Sequence, residues 1–260
     1  MSDEAIYERR GDAGWITLNR PAKRNAMTPA MIADLHAAMD QAGQDDAVRS
    51  LVITGAGTAF CAGADLDYFQ SQLDSPDGLD RFMAELLRPL TVFLARLRGS
   101  ARPVIAAVNG PCAAGGFELL MCCDLVIAGT TATFSDAHAR LGLAPAVGGV
   151  AGLVRSVGAN QAKRFLLTAD SFDAATMAAA GLVTEVVEPA ALVPRVTELT
   201  STFARRSPRS LALLKAMVHR NRPDWARLVE ADLADFRAGW HTAELREGIR
   251  AYTERRSPRF

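Results

Sequence analysis

The sequence predicts an α/β fold in which a mostly parallel sheet is followed by a helical C-terminal region. Short strand-like segments alternate with helical ones as far as about Pro189, an order typical of parallel sheets covered by helices. Strand signals then stop, and no internal repeat or low-complexity linker divides the chain. We therefore expect a core over residues 1–190 and a helical region over residues 191–260 that packs on the core or on a neighbouring subunit.

Six segments are strand-like, and each of the last four is predominantly apolar, as buried strands are. They are AIYERR (5–10), GWITLN (14–19), SLVIT (50–54), VIAAV (104–108), DLVIA (124–128) and LVTEVV (182–187). The first two are joined through a glycine-bearing turn, which favours a pair of neighbouring strands.

Helix starts are marked by capping residues and prolines. Thr28 followed by Pro29 predicts the first helix, because threonine caps a helix and proline suits its first position. A second helical stretch covers residues 159–167. In the C-terminal region Ser207 with Pro208 opens one helix, and two more follow from Asp224 and Thr242.

Composition and charge exclude several classes of function. The chain has 29 Lys plus Arg and 29 Asp plus Glu, so no net charge attracts nucleic acid or an anionic membrane. The start, MSDEAIYERR, lacks a secretory signal, and the longest apolar run is interrupted by Asp124. Four cysteines show neither zinc-site spacing nor disulfide density. We expect a soluble, cytoplasmic protein with reduced thiols and no metal, flavin or nicotinamide site.

Two glycine-bearing loops are candidates for the functional site. ITGAGTAFCAGAD (53–65) lacks the third glycine of a dinucleotide fingerprint, and no glycine run continues as a phosphate loop. Both this loop and CAAGG (112–116) lead into a helix, where unpaired backbone N–H groups point outward. The small residues either form ordinary turns or let a ligand oxygen approach two sets of N–H groups, as in an oxyanion hole.

Glu118 is the carboxylate closest to these donors. It follows Gly115 by three residues and therefore lies almost one helical turn along, on the same side. Its apolar neighbours Phe117 and Leu119 should desolvate it and raise its pKa, as suits a general base. A carboxylate in a first helical turn is also explained by the helix dipole alone.

Several ordered segments together resemble the crotonase superfamily, the enoyl-CoA hydratases and isomerases. They are LNRPAKRNAM (18–27), ITGAGTAFCAGADL (53–66), AAVNGPCAAGGFELLMCCDLVIA (106–128), ATFSDAHARLGLAPAVGG (132–149), AAGLVTEVV (179–187) and EGIRAYTERRSPRF (247–260). The resemblance implies a spiral core of repeated ββα units and a C-terminal helical region that builds trimers, often dimers of trimers. It also implies an acyl-CoA thioester as substrate, with coenzyme A bound as part of that substrate and no separate cofactor.

The resemblance also assigns roles to individual residues. It implies that the backbone N–H groups of Ala64 and Gly115 hold the enolate oxygen, and that Glu118 holds or activates the water added at C3. Family hydratases have a second glutamate where this sequence has His138. His138 either replaces that glutamate in proton transfer or is a wall residue of an altered pocket. Asp136 is a weaker candidate, because it shares a face with His138 only if the strand continues that far.

Substrate-binding residues follow from the same resemblance. Lys23 and Arg24 match the region that meets the phosphates of coenzyme A, and Ala62, Asp65 and Leu66 match the segment bordering adenine and pantetheine. A solvated loop pair and a helix cap at Asp65 are the structural alternatives. Tyr68 and Phe69 line either the acyl pocket or the core.

The predicted function is hydration of a 2-enoyl-CoA through an enolate intermediate. Double-bond isomerisation, or another enolate reaction that needs one base, is the alternative within the same class. An acyl-CoA-binding or assembly protein of the same fold with little catalysis is the alternative from a different class. The retained Glu118 favours an enzyme.

Overall fold

A computed structural model of the protein describes residues 2–220 and 224–260. Its main sheet has six strands in the order β1-β2-β3-β4-β6-β9, numbered along the chain. These are β1 (Ala5–Arg10), β2 (Ala13–Leu18), β3 (Ser50–Gly55), β4 (Val104–Val108), β6 (Leu125–Gly129) and β9 (Glu185–Val187). β1 and β2 are antiparallel, and every later pair is parallel. The predicted mostly parallel sheet is therefore confirmed.

A second, three-stranded sheet was not predicted from the sequence. It consists of β5 (Cys112–Ala113), β7 (Thr133–Ser135) and β8 (Phe172–Asp173), with β7 in the middle. Its strands are only two or three residues long, too short for a periodic pattern. The predicted strand over 182–187 is also shorter than expected, because only Glu185–Val187 pairs with β6.

Helices cover the sheet and make up most of the C-terminal region. They are α1 (Pro29–Gln44), α2 (Leu66–Leu73), α3 (Gly78–Phe82), α4 (Arg88–Arg98), α5 (Gly115–Leu120), α6 (Gly149–Thr168), α7 (Ala174–Ala179), α8 (Leu192–Ala204), α9 (Pro208–Arg220), α10 (Trp225–Gly239) and α11 (Ala243–Thr253). A π-helical turn, Met83–Leu87, joins α3 to α4.

Helix starts follow the predicted caps, with one large difference. The Thr28 side chain accepts a hydrogen bond from the Met31 N–H, and α10 and α11 begin directly after Asp224 and Thr242. The stretch predicted over 159–167 is instead the second half of α6, which begins at Gly149. Gly158 has φ 77° inside α6, so two helical segments meet there at a kink.

Apolar side chains pack on both faces of the main sheet, which explains the unbroken apolar runs of the strands. All five residues of β4 are buried. On one face Trp15, Val52 and Ile105 pack with Leu192 and Val196 of α8. The other face belongs to the large core, which also contains apolar residues of α10 and α11. The C-terminal helices are therefore part of the core packing.

The C-terminal helices also leave apolar surface exposed. Leu213, Leu214 and Val218 of α9 are each more than half exposed. Within the described parts of the chain, no helix is both long and apolar enough to cross a membrane. The four cysteines are free thiols, three of them buried.

Candidate active site

The two glycine-bearing loops meet at the N-termini of α2 and α5. A Cβ added at Gly63 would lie 2.8 Å from the Cβ of Ala114 and 3.0 Å from the nitrogen of Gly115. A Cβ added at Gly115 would lie 3.7 Å from the nitrogen of Ala64. The backbones of the two loops thus touch, and glycine is required at Gly63 both by this contact and by its φ of 94°.

Main-chain hydrogen bonds fix the two loops to each other and to the segment before α1. Ala113 N–H donates to the Cys61 carbonyl at 2.8 Å, and Met27 N–H donates to the Gly63 carbonyl at 2.7 Å. Among the described residues, no backbone acceptor pairs with the N–H of Ala64 or of Gly115. Two neighbouring donors are therefore available to a ligand oxygen, and their positions are set by backbone rather than by side chains.

Ala114, directly before the second donor, has an unusual backbone conformation. Its φ is 47° and its ψ is −121°, a region that glycine occupies far more readily than alanine. Ala114 N–H donates to the Ser135 carbonyl of β7 at 3.1 Å, and its own carbonyl accepts the first hydrogen bond of α5, from Glu118 N–H. This strained residue thus joins the short strand β5 to the start of α5 at Gly115, which lines the same cavity as Glu118.

Glu118 is buried beside these donors, with only 3% of its surface exposed. Its Oε1 accepts hydrogen bonds from the N–H groups of Ala146 and Val147, at 3.1 and 3.0 Å. Burial raises the pKa of the Glu118 carboxyl, although the nearby His138 and the backbone N–H groups oppose the rise. The predicted direction of the shift is confirmed, and it brings the group closer to the range of a general base.

His138 begins a 3₁₀ turn over His138–Leu141, three residues after the end of β7, and lines the same cavity as Glu118. Its Nδ1 is 3.1 Å from Oδ1 of Asp136. The strand does not continue to Asp136: it ends at Ser135, and the left-handed Ala137 (φ 62°) turns the chain so that the two side chains meet. The strand on which Asp136 would share a face with His138 is therefore absent, and the two side chains meet through the turn instead.

Most of the predicted site residues line one cavity of about 410 Å³. Ala64, Gly115, Glu118 and His138 line it, together with Arg24, Ala62 and Leu66. Its apolar wall comes from the helices that cover the site; the main contributors are Phe69, Phe82, Leu86, Leu87, Leu90 and Phe236. Phe69 thus lines the cavity as well as the core, whereas the Tyr68 hydroxyl donates to Glu85 at 2.8 Å.

Lys23 and Asp65 are not part of the cavity wall. Lys23 is exposed and forms an ion pair with Asp67 at 2.7 Å. Asp65 caps α2, accepting from the N–H groups of Asp67 and Tyr68, and its other oxygen binds Arg20 at 2.8 Å. The capping alternative weighed for Asp65 is present in the structure. Arg24 is the predicted basic residue that does reach the cavity.

Sequence reasoning missed the turn that holds Glu118. The donors at Ala146 and Val147 belong to the segment LAPAVGG, and Gly149 follows them at the start of α6. A Cβ added at Gly149 would lie 2.7 Å from Cγ of Glu118, so only glycine fits. The glycine pair of this segment was the available signal. Within the described residues, no group of three or more His, Cys, Asp or Glu is arranged to hold a metal ion.

Comparisons with known proteins agree with this architecture. The family model described as enoyl-CoA hydratase/isomerase matches residues 9–260. A crotonyl-CoA hydratase of Syntrophomonas wolfei is 34% identical over 263 residues, covering 99% of this chain and 98% of its own. The 2,3-dehydroadipyl-CoA hydratase of Escherichia coli is 34% identical over 261 residues, which cover 99% of this chain and 98% of that protein.

Solved structures show the same fold. The crystal structure of an enoyl-CoA hydratase from Mycobacterium avium superposes with a TM-score of 0.85 at 32% identity, covering 99% of both chains. The protein therefore belongs to the enoyl-CoA hydratase/isomerase family and is an enzyme of the crotonase fold.

Proposed function

We propose that the protein hydrates a 2-enoyl-CoA thioester. The observation that carries the proposal is the convergence of two free backbone N–H groups and one buried carboxylate, Glu118, in a single largely apolar cavity. An enolate oxygen gains most from donors that are already oriented in a dry site, where one such donor is worth roughly 3 to 4 kcal/mol of barrier. The hydratases of crotonyl-CoA and 2,3-dehydroadipyl-CoA among the relatives support a thioester substrate.

In the proposed reaction, the thioester carbonyl oxygen accepts hydrogen bonds from Ala64 and Gly115. Glu118 takes a proton from water as the water oxygen bonds to C3, and the C2–C3 π electrons form the enolate. His138 returns a proton to C2, which gives the 3-hydroxyacyl product. The proton on Glu118 then passes back to His138 by way of solvent, so the enzyme ends as it began.

The walls of the cavity suggest how the substrate lies. Arg24 and Arg140 both line the cavity, and we assign Arg24 to the phosphates of coenzyme A, with Lys23 nearby. Ala62 and Leu66 would border the pantetheine. Asp65 would contribute to binding indirectly, because it caps α2 and so fixes the position of Leu66 at the start of that helix. The apolar wall around Leu86 and Phe236 suits an uncharged acyl chain.

We also propose that three copies assemble through the C-terminal helices. The exposed leucines and valine of α9 give this region an apolar surface that a partner copy would cover.

Glu118→Gln tests the proposed base. We expect kcat for a 2-enoyl-CoA to fall by roughly 10²- to 10⁴-fold, because the amide cannot accept the proton of water. Affinity for a saturated acyl-CoA, measured by calorimetry, should stay within a few-fold. Glu185→Gln is the matched control, since Glu185 pairs with Arg195 away from the cavity.

Mass spectrometry of the products in heavy water separates the outcomes. Addition of one water to the thioester supports hydration. Deuterium uptake or double-bond movement without added water would establish isomerisation instead, and thioesters that bind but return unchanged would favour a binding protein. Full activity in Glu118→Gln would rule out Glu118 as the base.

A further inference from the structure

The Asp136 carboxylate is buried directly behind His138. Only 2% of Asp136 is exposed, and its neighbours Ser135, Ala137 and His138 line the cavity whereas Asp136 does not. Asp136 therefore cannot reach a substrate itself. Any effect it has on the reaction must pass through His138.

Hydrogen bonding to Asp136 determines which nitrogen of His138 faces the cavity. Oδ1 of Asp136 lies 3.1 Å from Nδ1 of His138 and also accepts from the His138 backbone N–H at 3.3 Å. A carboxylate only accepts, so Nδ1 carries a proton in this contact. The opposite edge of the ring, with Nε2, is left for the cavity that His138 lines.

Charge at this position favours the imidazolium form. Within the described part of the chain, Oδ2 of Asp136 is buried without a hydrogen-bond partner, and an unpaired buried carboxylate is costly unless a cation is near. Burial alone lowers the pKa of His138, but Asp136 and, more weakly, Glu118 outweigh it and raise that pKa to about 9. Asp136 and Glu118 thus act on one imidazole from two elements.

Two further elements pack against the 138–141 turn, α6 and α11. Their charged residues are Arg155, Lys163 and Arg164 on α6 and Glu244, Arg246, Glu247 and Arg250 on α11. The turn itself carries Arg140, which also lines the cavity. The groups that raise the pKa of His138 are Asp136, in contact with it, and Glu118.

We propose that Asp136 is a positioning residue that orients His138 and keeps it protonated, so that Nε2–H delivers the proton to C2 of the enolate. This inference rests on the proposed hydration and assigns the group that takes over from the second family glutamate. With an Asp–His pair the proton comes from a cationic imidazolium, whereas with a glutamate it comes from a neutral carboxylic acid. The proton leaves Nε2 as the C2–H bond forms, and His138 ends as the neutral imidazole.

Asp136→Asn tests the proposal, because asparagine has nearly the same shape without the charge. We expect its kcat at pH 8 to fall about 10- to 100-fold with KM within about 3-fold, since a buried imidazole without its counterion is mostly neutral there. The active form is the protonated one, so activity is lost as pH rises through the His138 pKa. In the variant this alkaline limb should move from near pH 9 to below pH 7, and acidification to pH 6 should restore most of the rate.

Nitrogen-15 NMR of histidine-labelled wild-type protein supplies a test that needs neither a variant nor turnover. His138 is assigned by loss of its signals in His138→Gln. We expect both ring nitrogens to be protonated at pH 7. A ring that is neutral at pH 7, in either tautomer, would overturn the proposal even if the protein is a hydratase.

Asp34→Asn is the matched control, because Asp34 is also buried and hydrogen-bonded but lies on α1 outside the cavity. It should cost stability and leave the pH profile unchanged. A loss of rate in Asp136→Asn that is the same at every pH would show a merely structural role. Absence of hydration in wild type together with a cationic His138 would refute the proposed reaction and leave the Asp–His pairing standing.

Discussion

At the scale of single residues, Gly149 limits the position of the Glu118 side chain. A Cβ at Gly149 would lie 2.7 Å from Cγ of Glu118, closer than real Cβ atoms approach, and a tight 3.0 Å from Oε1. We expect Gly149→Ala to displace the carboxylate and to lower kcat by about 10²-fold, the size of effect seen when a reacting group moves by about 1 Å. Steady-state kinetics with a 2-enoyl-CoA would measure this.

Gly43→Ala is the control for that substitution. Gly43 lies in α1, and an added Cβ there has no atom within 4 Å. Alanine should therefore leave kcat unchanged and raise the free energy of unfolding by about 0.5–1 kcal/mol, as alanine does in a helix. Equal losses of activity in both variants would mean that Gly149 does not act through Glu118.

Sequence reasoning at this scale was right where the determinants are local. Burial raises the pKa of Glu118, and the apolar residues on either side of it in the sequence had predicted that direction. Its partners Ala146 and Val147 are 28 and 29 residues away, so no local pattern could reveal them. The contact between Asp136 and His138 was not predicted, because it depends on the left-handed Ala137 that follows the end of the strand at Ser135.

At the scale of elements, the start of α2 depends on Asp65. Asp65→Ala removes the helix cap and leaves Arg20, which is 18% exposed, without this carboxylate. We expect the free energy of unfolding to fall by about 2–4 kcal/mol. Thr28→Ala, a cap on α1, is the comparison and should cost about 1 kcal/mol. Urea unfolding at fixed protein concentration measures both.

The contribution of Asp65 to the free energy of unfolding should also depend on pH. Burial opposes the charged form, but hydrogen bonds from Arg20 and the backbone lower the pKa of Asp65 overall. A lowered folded-state pKa stabilises the protein above the pKa of the unfolded chain, about 3.9, and this stabilisation is lost as the pH falls further. The difference between wild type and Asp65→Asn should therefore shrink below about pH 4. A constant difference down to pH 3 would contradict the ion pair.

Elements with strong patterns were predicted, and short ones were not. The buried strands SLVIT and VIAAV were placed to within a residue, because both faces of those strands are covered. β5, β7 and β8 form by pairing between distant segments, and two or three residues carry no period. The start of α6 was missed because LAPAVGG reads as a loop, although its last residue, Gly149, already belongs to the helix.

At the scale of the whole molecule, the exposed apolar face of α9 predicts an assembly. We expect wild type to have a solution mass of three times 27.8 kDa, or a multiple of that trimer. Leu214 and Val218 are four residues apart on α9 and are 59% and 60% exposed. Replacing both by glutamate should release the single chain, because charge cannot be buried at an apolar interface without a partner. Light scattering after gel filtration measures the mass.

Leu167→Glu is the control for the assembly, since Leu167 is 78% exposed on α6 and outside the C-terminal helices. It should keep the wild-type mass. A monomeric wild type, or an unchanged mass in the α9 variant, would refute assembly through α9.

The sequence predicted the helical C-terminal region, but not that α8 covers one face of the sheet or that Phe236 of α10 reaches the cavity, because those contacts depend on the folded chain as a whole.

The π-helical turn over Met83–Leu87 has a consequence for how the substrate range of this protein can change. A π turn holds one residue more than the α turn it interrupts, so deleting one residue there restores a regular helix. The helical segments on either side of the deletion would keep their directions, because the π turn already absorbs the extra residue. The change would be confined to the turn itself, from which Leu86 and Leu87 line the cavity. One deletion would thus alter the apolar wall of the cavity at a single turn and leave the packing of the helices around it intact.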